Sequence, residues 1–422
     1  MSTRRRCMRC SAAARRAAAH RNRKHTRIHQ ETSRGLDCPS LKAVAALATE
    51  LLRHFRAKRV AKAKMVRAVL LRYVAMCGGW KRAFPTTLNG DVAKPFCFNL
   101  DKETDYWIDE NMRFPRQDID VVRKLLGIPD LVVTKNRDSC PGLWAFCMLL
   151  FKLSWPRRMC NFRDTFGGTK QRCGRIVNHV AVFLYKRFGD KMHSLDRGRY
   201  TDEHLKHLCD VVYLKNQVLE HVWGFIDATI RPCSRPVRWQ KVLYNGKNKV
   251  HAQKFQTVVS WDGMIAHIDG PWAGCRHDAG IFAESPLPRV LAELPHIALA
   301  GVPVPLPIAL YADEGYALSS RIFIPYPDGR ANALHQAFNQ TLSQSRITVE
   351  WAYHTILKSW TALDFKRTLK VFKSPIGVYY IVAALLTNVM SCMNTYNEIT
   401  LYSGGTVPTA EEYLRTLAND AK

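Results

Sequence analysis

Three acidic residues have the types and positions that metal-dependent phosphodiester chemistry needs. Asp227 follows the apolar run 222–226 in HVWGFIDAT, and Asp313 follows the run 307–312 in PIALYADEGY. Glu350 lies in the helix-like segment RITVEWAYHTILKSW. Carboxylates are ligands that Mg²⁺ prefers, and strand ends and a helix face can aim them rigidly at one point. Two Mg²⁺ ions about 4 Å apart, held by such carboxylates, would activate an attacking water or 3′-hydroxyl and stabilise the leaving oxygen.

Each of these acids also has a purely structural explanation. Asp227 can cap a turn, and Asp313 can be a turn residue with Glu314 as its solvated neighbour. Glu350 can form an ion pair with Arg346 one helical turn earlier. As a set, two acids that each end an apolar strand and a third on a following helix are harder to explain in this way.

The segments around the acids predict the elements that would position them. HVWGFIDATI, KFQTVVSWDG and MIAHIDGPWAG predict three consecutive strands, PIALYADEGY a fourth and RIFIPYP a fifth. A crossover helix is predicted for HDAGIFAESPLPRVLAEL, and later helices for 331–360 and 375–396. This order is typical of a ribonuclease-H-like α/β fold. It would place Asp227 on the central strand, Asp313 at the end of the strand beside it, and Glu350 on a helix across the sheet.

A helical region over residues 118–215 precedes these strands. MCNFRDTFGG followed by TKQRCGRIVNHVAVFLYKRF predicts a short helix, a glycine turn and a longer basic helix. That is the outline of a helix-turn-helix, whose second helix can lie in a DNA groove. Lys170, Arg172 and Arg175 lie near the start of the second helix, where DNA contacts are usually made. An ordinary helical bundle with a solvated basic face explains the same outline.

The first residues of the chain differ in composition from the rest. Residues 1–36 contain eleven lysines and arginines and one acidic residue, Glu31. This composition predicts a disordered basic tail over residues 1–38, which would bind nucleic acid non-specifically or act as a nuclear import signal. An Arg- and Ala-rich, acid-poor segment also fits an organellar transit peptide.

Four residues of this tail approach the ligand spacing of a Cys₂His₂ zinc site. They are Cys7, Cys10, His25 and His29. Fourteen residues separate the two pairs, whereas such sites have about twelve. The intervening residues lack the aromatic and leucine side chains of a finger core, so coincidental ligands in a disordered segment are favoured.

Composition restricts the partner and the compartment. The chain of 422 residues has 63 Lys and Arg against 35 Asp and Glu, a formal net charge of +28. Such an excess favours a nucleic-acid partner over the weaker alternative of an anionic membrane surface. The 13 cysteines favour a reduced compartment with free thiols. The apolar run 376–393 includes polar residues and predicts a buried helix rather than a transmembrane span.

Five segments of the chain resemble parts of one known family. FIDATIRPCSRP resembles its first-aspartate segment, YADEGY its second-aspartate motif, and RITVEWAYHTILKSW its Arg…Glu helix. The long segment VLYNGKNKVHAQKFQTVVSWDGMIAHIDGPWAGCRHDAGIFAES resembles its central signature, and LWAFCMLLFKLSWPRRMCNFRDTFGGTKQ its upstream helix-turn-helix region. Over about residues 118–397 the chain therefore resembles the PIF/Harbinger DDE transposases and the nucleases derived from them.

The resemblance implies a ribonuclease-H-like catalytic domain that uses Mg²⁺ or Mn²⁺ for DNA strand cleavage and transfer. It maps the catalytic, metal-binding triad onto Asp227, Asp313 and Glu350. His277 and Asp278 also match the central signature; they would support the site, add a ligand or stabilise a loop.

Further residues are candidates for supporting roles and for DNA contacts. Arg346, the arginine of the Arg…Glu helix, is a supporting candidate. Candidate DNA contacts are Lys170, Arg172, Arg175, Lys247 and Lys254.

The predicted fold class is α/β. It combines a ribonuclease-H-like catalytic domain, with a mixed sheet flanked by helices, with a preceding all-α helix-turn-helix-like domain and a basic disordered N-terminal tail. The predicted segments are a tail (1–38), a helical and irregular region (39–117), a helix-turn-helix-like domain (118–215), a DDE nuclease domain (219–397) and a C-terminal tail (398–422).

Two functions follow from these predictions. The first is a metal-dependent DNA endonuclease or transposase, or a host-retained nuclease derived from one. The alternative is a catalytically silent DNA-binding protein derived from a transposase. The expected partners are DNA, a separate Myb-like DNA-binding protein and further copies of the chain, with no membrane. The expected location is the nucleus, with an organelle as the alternative.

Overall fold

The computed structural model describes residues 95–299, 301–327 and 332–418, without the side chains of 344–347. The predictions for the basic tail 1–38, for its cysteines and histidines, and for most of the region 39–117 lie outside the described residues. The side chain of Arg346 lies outside them as well.

Short and long strands alternate with helices along the described chain. The strands are β1 (Leu131–Val133), β2 (Ser139–Pro141), β3 (Val222–Pro232), β4 (Tyr244–Asn245), β5 (Val250–Ser260), β6 (Ile265–Ala273), β7 (His296–Ile297), β8 (Leu306–Pro307), β9 (Ala309–Tyr311) and β10 (Ile322–Phe323). The α-helices are α1 (Asp105–Met112), α2 (Arg116–Leu125), α3 (Gly142–Ser154), α4 (Met159–Phe166), α5 (Lys170–Ser194), α6 (Asp202–Asn216), α7 (Gln240–Leu243), α8 (Asp278–Glu284), α9 (Leu287–Ala292), α10 (Ala333–Ser359), α11 (Ile376–Asn394), α12 (Glu398–Ser403) and α13 (Ala410–Leu417).

A mixed sheet organises the second half of the chain. Its main path runs β10-β9-β3-β5-β4, and β6 pairs with β5. β3, β5 and β6 form an antiparallel meander, whereas β9 pairs parallel to β3 and β10 parallel to β9. The sheet is flanked by helices, so the architecture is mixed α/β and compatible with a DDE nuclease fold. The predicted strand order and the central position of the strand that carries Asp227 agree with this sheet.

β3 is longer than its apolar run indicates. It continues five residues beyond Asp227 to Pro232, because β5 pairs with it without interruption from Ser260 to Ala252. Asp227 therefore lies within a strand, not at its end, which corrects the prediction that both aspartates end their strands. By contrast, β9 is short and ends at Tyr311, two residues before Asp313.

The long helices form because apolar side chains recur at helical spacing. Helix α5 begins after Thr169, whose hydroxyl accepts a hydrogen bond from the Arg172 N–H at 3.2 Å. Its buried side chains, at intervals of one to four residues, are Cys173, Ile176, Val177, Val180, Ala181, Leu184, Phe188 and Met192. This face shares one hydrophobic core with α3, α11 and β6. The helices that precede the sheet in sequence are thus packed against it.

Helix α11 is the core helix that the sequence predicts. It is the one helix in the described residues that is long and apolar enough to cross a membrane, and 89 % of its 18-residue apolar window is buried inside the protein. Thr387 accepts a hydrogen bond from the Trp360 indole at 3.1 Å, and Asn388 bonds both the Ile265 carbonyl and the Tyr413 hydroxyl. These contacts account for the polar residues in the run.

Two regions differ from the sequence prediction. The crossover segment forms two short helices, α8 and α9, because Ser285-Pro286 interrupts it. Residues 398–418, assigned to a C-terminal tail, include the helices α12 and α13. Tyr413, Leu414 and Leu417 of α13 are buried against the core, so this segment belongs to the packed structure.

Candidate active site

Asp227 lies on β3, and Asp313 lies in the loop after β9, the strand that pairs parallel to β3. β3 and β9 pair with Phe225 opposite Tyr311. Each aspartate comes two residues after that pair. Side chains two residues apart on a strand share a face, and paired strands lie about 4.8 Å apart. The pairing of β3 with β9 therefore brings the backbones of Asp227 and Asp313 close together, although β3 continues beyond Asp227 and β9 ends before Asp313.

The pKa of Tyr316 is affected by three acids of the site. Burial, and then the charges of Asp227, Asp278 and Asp313, raise the pKa of Tyr316 well above its ordinary value. All three carboxylates thus act on one phenol, whose side chain is buried. Within the described residues its hydroxyl has no hydrogen-bond partner. A buried hydroxyl without a partner is costly, so this phenol can donate a hydrogen bond to, or accept one from, a polar group placed beside it.

Gly315 separates two of these carboxylates. A Cβ atom at this position would lie 3.0 Å from Asp313 Oδ1 and 3.4 Å from Asp278 Oδ2, so these two oxygens are at most about 6.4 Å apart. The Gly315 N–H donates to Asp313 Oδ1 at 2.9 Å, and its carbonyl accepts from the Ala279 N–H at 3.2 Å. The loop after β9 is thereby fixed to the start of α8, which carries Asp278.

Lys254 holds Asp278 in place. It comes from β5, is buried, and forms an ion pair with Asp278 Oδ1. Its ammonium also donates to the Arg276 carbonyl at 3.0 Å. One oxygen of Asp278 is therefore bound to a lysine while the other lies on the side of Asp313. In this structure the Lys254 ammonium points into the protein.

Glu350 is carried by a helix that is fastened to β3. The Tyr353 hydroxyl, three residues further along α10, donates to the Asp227 carbonyl at 2.9 Å. Val349 and Ile356 are buried on the same helix, as their spacing predicts, whereas Glu350 is exposed beside this face. The structure thus gathers the three aspartates around Tyr316 and places Glu350 one helical turn from Tyr353.

The arrangement has the donor chemistry of a divalent-metal site without the finished geometry. Among the residues that the structure describes, no three His, Cys, Asp or Glu side chains form a group that could hold a metal ion. Mg²⁺ binds oxygens at about 2.0–2.1 Å, so two ligands of one ion are at most about 4.2 Å apart. The carboxylates, the unpartnered Tyr316 hydroxyl and the gap kept open by Gly315 fit such an ion.

The candidate DNA contacts at the start of α5 are engaged within the protein. Arg175 forms a two-pronged ion pair with Asp138, with Nε–Oδ2 at 2.5 Å and Nη2–Oδ1 at 2.9 Å. Arg172 donates to the Ser139 carbonyl at 2.7 Å, and its guanidinium lies 4.1 Å from the centroid of the Phe96 ring. Both arginines fasten the β1–β2 hairpin to the helix. Lys170 is exposed at the first position of α5.

Other predicted residues lie at the margin of the acid site or away from it. His277 precedes α8 and is exposed, and Lys247 is exposed in the turn between β4 and β5. Sequence reasoning did not single out Tyr316 or the spacing role of Gly315. The only signal for either is their position directly after Asp313 in YADEGY.

One known family is similar to part of the chain. Residues 226–388 match the family described as DDE superfamily endonuclease, and this range contains Asp227, Asp278, Asp313 and Glu350. No curated protein and no solved structure matches the chain. Residues 226–388 are therefore similar to the DDE superfamily endonuclease domain.

Proposed function

We propose that the protein is a metal-dependent DNA endonuclease of the transposase type, or a nuclease derived from one. The observation that carries this proposal is that Asp278 and Asp313 lie on either side of Gly315, next to the strand that carries Asp227, inside the family-matched region. Several carboxylates held close together are what phosphodiester chemistry with Mg²⁺ or Mn²⁺ requires.

In this proposal Asp227, Asp313 and Glu350 are the metal ligands. Bound divalent ions would polarise the scissile phosphate and activate an attacking water or 3′-hydroxyl. The hydrogen bond from Tyr353 to the Asp227 carbonyl fixes α10 against β3 and so sets the position from which Glu350 reaches the site. Lys254 orients Asp278, which supports the site from the side of α8.

The proposal also covers the type of fold, the type of transposase, the partners and the location. The order β6-β5-β3-β9-β10, antiparallel on one side and parallel on the other, supports a ribonuclease-H-like fold. The order of the sequence motifs supports the PIF/Harbinger type. Binding of DNA by the helices α4 and α5, cooperation with a Myb-like protein, self-association and action in the nucleus are further proposals that follow from that type.

The decisive experiment is cleavage of defined duplex DNA by the purified protein in Mg²⁺ and in Mn²⁺, compared with chelator. We expect Asp313→Asn to lower the cleavage rate by about a hundredfold or more, because it removes charge at the reacting centre. Glu314→Gln is the matched control: Glu314 is the exposed neighbour, and its loss removes the same charge. Cleavage by Asp313→Asn at the wild-type rate would refute the proposal.

A catalytically silent DNA-binding protein is the second candidate. It is favoured by the lack of a ready-made group of three metal ligands in the described residues. It predicts DNA affinity that falls with salt, equal affinities for the wild type and Asp313→Asn, and no cleavage in any metal. Metal-dependent cleavage that Asp313→Asn abolishes would exclude it.

A further inference from the structure

Two loops are joined to form a single surface beyond the far end of β3. We define this two-loop surface as residues 233–249 and 364–373. The Ser234 N–H donates to the Leu369 carbonyl at 2.9 Å, and its hydroxyl donates to the Lys366 carbonyl at 2.8 Å. The backbones of the two segments, more than a hundred residues apart in sequence, are therefore held side by side.

The two-loop surface carries an excess of unpaired positive charge. It has nine exposed cationic side chains and one acidic residue, Asp364. The cations are Arg235, Arg238, Lys241, Lys247, Lys249, Lys366, Arg367, Lys370 and Lys373. Within the described chain none of the nine forms an ion pair; Arg235 donates to the neutral Gln240 amide. Charges of one sign at this density repel one another, so the surface is complementary to a polyanion.

Trp239 gives a second, independent sign of a binding role. Its backbone has φ of 64°, in the left-handed region that bulky residues avoid. The side chain is 39 % exposed, and the nearby Val237 is 91 % exposed. Holding such a residue in this conformation costs about 1–3 kcal/mol, and strain of this kind concentrates at functional positions.

The position of the surface relative to the acids suggests its ligand. β3 runs unbroken from Asp227 to Pro232, and five residues of strand span about 17 Å. Ser234 therefore begins the surface about 20 Å from Asp227. Along one strand of DNA that distance corresponds to about six phosphates, at 3.4 Å each.

We propose that the two-loop surface binds the phosphate backbone of duplex DNA about six base pairs from the phosphodiester at the Asp227–Asp313 site. This inference rests on the proposed function, which makes DNA the substrate. The cations fix the position of the duplex on the protein, and Trp239 contacts the sugar or base edges beside them. Contacts of this kind set register rather than read sequence.

The test compares two charge-matched triple variants of the full chain. The surface variant is Lys241→Gln, Lys366→Gln and Lys370→Gln, and the control variant is Lys102→Gln, Lys135→Gln and Lys206→Gln, whose residues lie outside α4 and α5. All six lysines are exposed, and none forms an ion pair in the described residues. Fluorescence anisotropy with a labelled duplex, over a series of salt concentrations, gives the slope of log K against log salt. Thermal unfolding establishes that both variants are folded.

We expect the slope for the surface variant to be smaller in magnitude by about 2–3 than for the wild type, since each lost phosphate contact contributes about 0.9. The control variant should keep the wild-type slope. Trp239→Gly, which tolerates the left-handed backbone, should weaken binding with little effect on the slope. Equal slopes for the surface and control variants would overturn the proposal, as would a loss seen with anionic phospholipid vesicles and not with DNA.

A cleavage assay on the same duplex, run beside the binding titrations, separates this inference from the proposed function. Wild-type protein that binds with the expected slope but never cleaves refutes the nuclease and leaves the DNA surface standing. Metal-dependent cleavage together with an unchanged slope in the surface variant refutes the surface and leaves the nuclease standing.

Discussion

The acid site and the two-loop surface lie along the same strand, yet they treat charge in opposite ways. At the acid site Lys254 is buried and paired with Asp278, and Asp313 accepts a hydrogen bond from Gly315. On the two-loop surface the nine cations are exposed and form no ion pair with the described protein. Strand β3 joins the two regions, with Asp227 in its middle and the basic loop at its end.

The two regions show two kinds of charge: buried charges whose partners are part of the fold, and exposed charges that the fold does not need. A buried charge must be compensated inside the protein, so its partner is part of the folded structure. An exposed cation is compensated by water and contributes little to stability, which leaves it available for a ligand. At the start of α5, Arg175 belongs with the charges that the fold pairs internally, because it forms an ion pair with Asp138.

Among the buried, paired charges, we expect the substitution of Asp262, in the turn between β5 and β6, to cause the largest loss of stability. Burial alone would raise the pKa of this carboxyl, but His204, Arg199, Ser260 and the Met264 N–H lower it to about 2. We expect Asp262→Asn to lower the free energy of unfolding by about 2–4 kcal/mol at neutral pH, because it leaves the Arg199 guanidinium without its partner. Urea unfolding measures this loss.

The pH dependence of that loss has a definite sign. The folded-state pKa of Asp262 is depressed, so its contribution is fully present above the unfolded value of 3.8 and is lost as the pH falls towards about 2. The difference between wild type and variant should therefore be constant above about pH 5 and shrink below pH 4. Lys241→Gln is the control, with an expected change within about 0.5 kcal/mol. A comparable loss in Lys241→Gln would break the distinction between the two kinds of charge.

The sequence predicts the elements of the acid site better than it predicts their contacts. The strand order and the long helices follow from apolar periodicity, which is a local property of each segment. The approach of Asp278 to Asp313 is not local: it depends on the Ala279–Gly315 hydrogen bond between segments that are far apart in the chain. Strand alternation places Asp227 and Lys254 on opposite faces of the β3–β5 pair. A pattern-based interpretation therefore does not connect Lys254 with the acids.

Lys254→Met tests whether a charge of the acid site becomes available to a ligand once its partner is removed. The variant leaves the Asp278 carboxylate without its lysine. Removing one partner of a buried ion pair costs about 3–5 kcal/mol, but Asp278 keeps 27 % of its side chain exposed. We therefore expect a smaller loss of about 1–3 kcal/mol. Millimolar Mg²⁺ should restore part of it, because a cation can then bind the uncompensated carboxylates and stabilise the folded state.

The matched control for Lys254→Met is the double variant with Asp278→Asn. It should lose less stability than the single variant and should not respond to Mg²⁺, because the unpaired carboxylate is gone. Thermal unfolding with and without Mg²⁺ measures both effects. The same stabilisation by Mg²⁺ in the wild type, the single variant and the double variant would show that Lys254 and a cation do not compete for Asp278.

Gly315→Ala should give the smallest effect, and it tests the spacing of the carboxylates alone. The added Cβ would lie 3.0 Å from Asp313 Oδ1, so that this oxygen must shift by a few tenths of an ångström, and in ordinary contact with Asp278 Oδ2 at 3.4 Å. We expect the affinity for Mn²⁺, measured by titration calorimetry, to fall about tenfold, equivalent to about 1.4 kcal/mol. Gly246→Ala is the control within the two-loop surface, because a Cβ there meets no atom within 4 Å. Equal Mn²⁺ affinities for the two variants would mean that the carboxylates beside Gly315 do not share a metal.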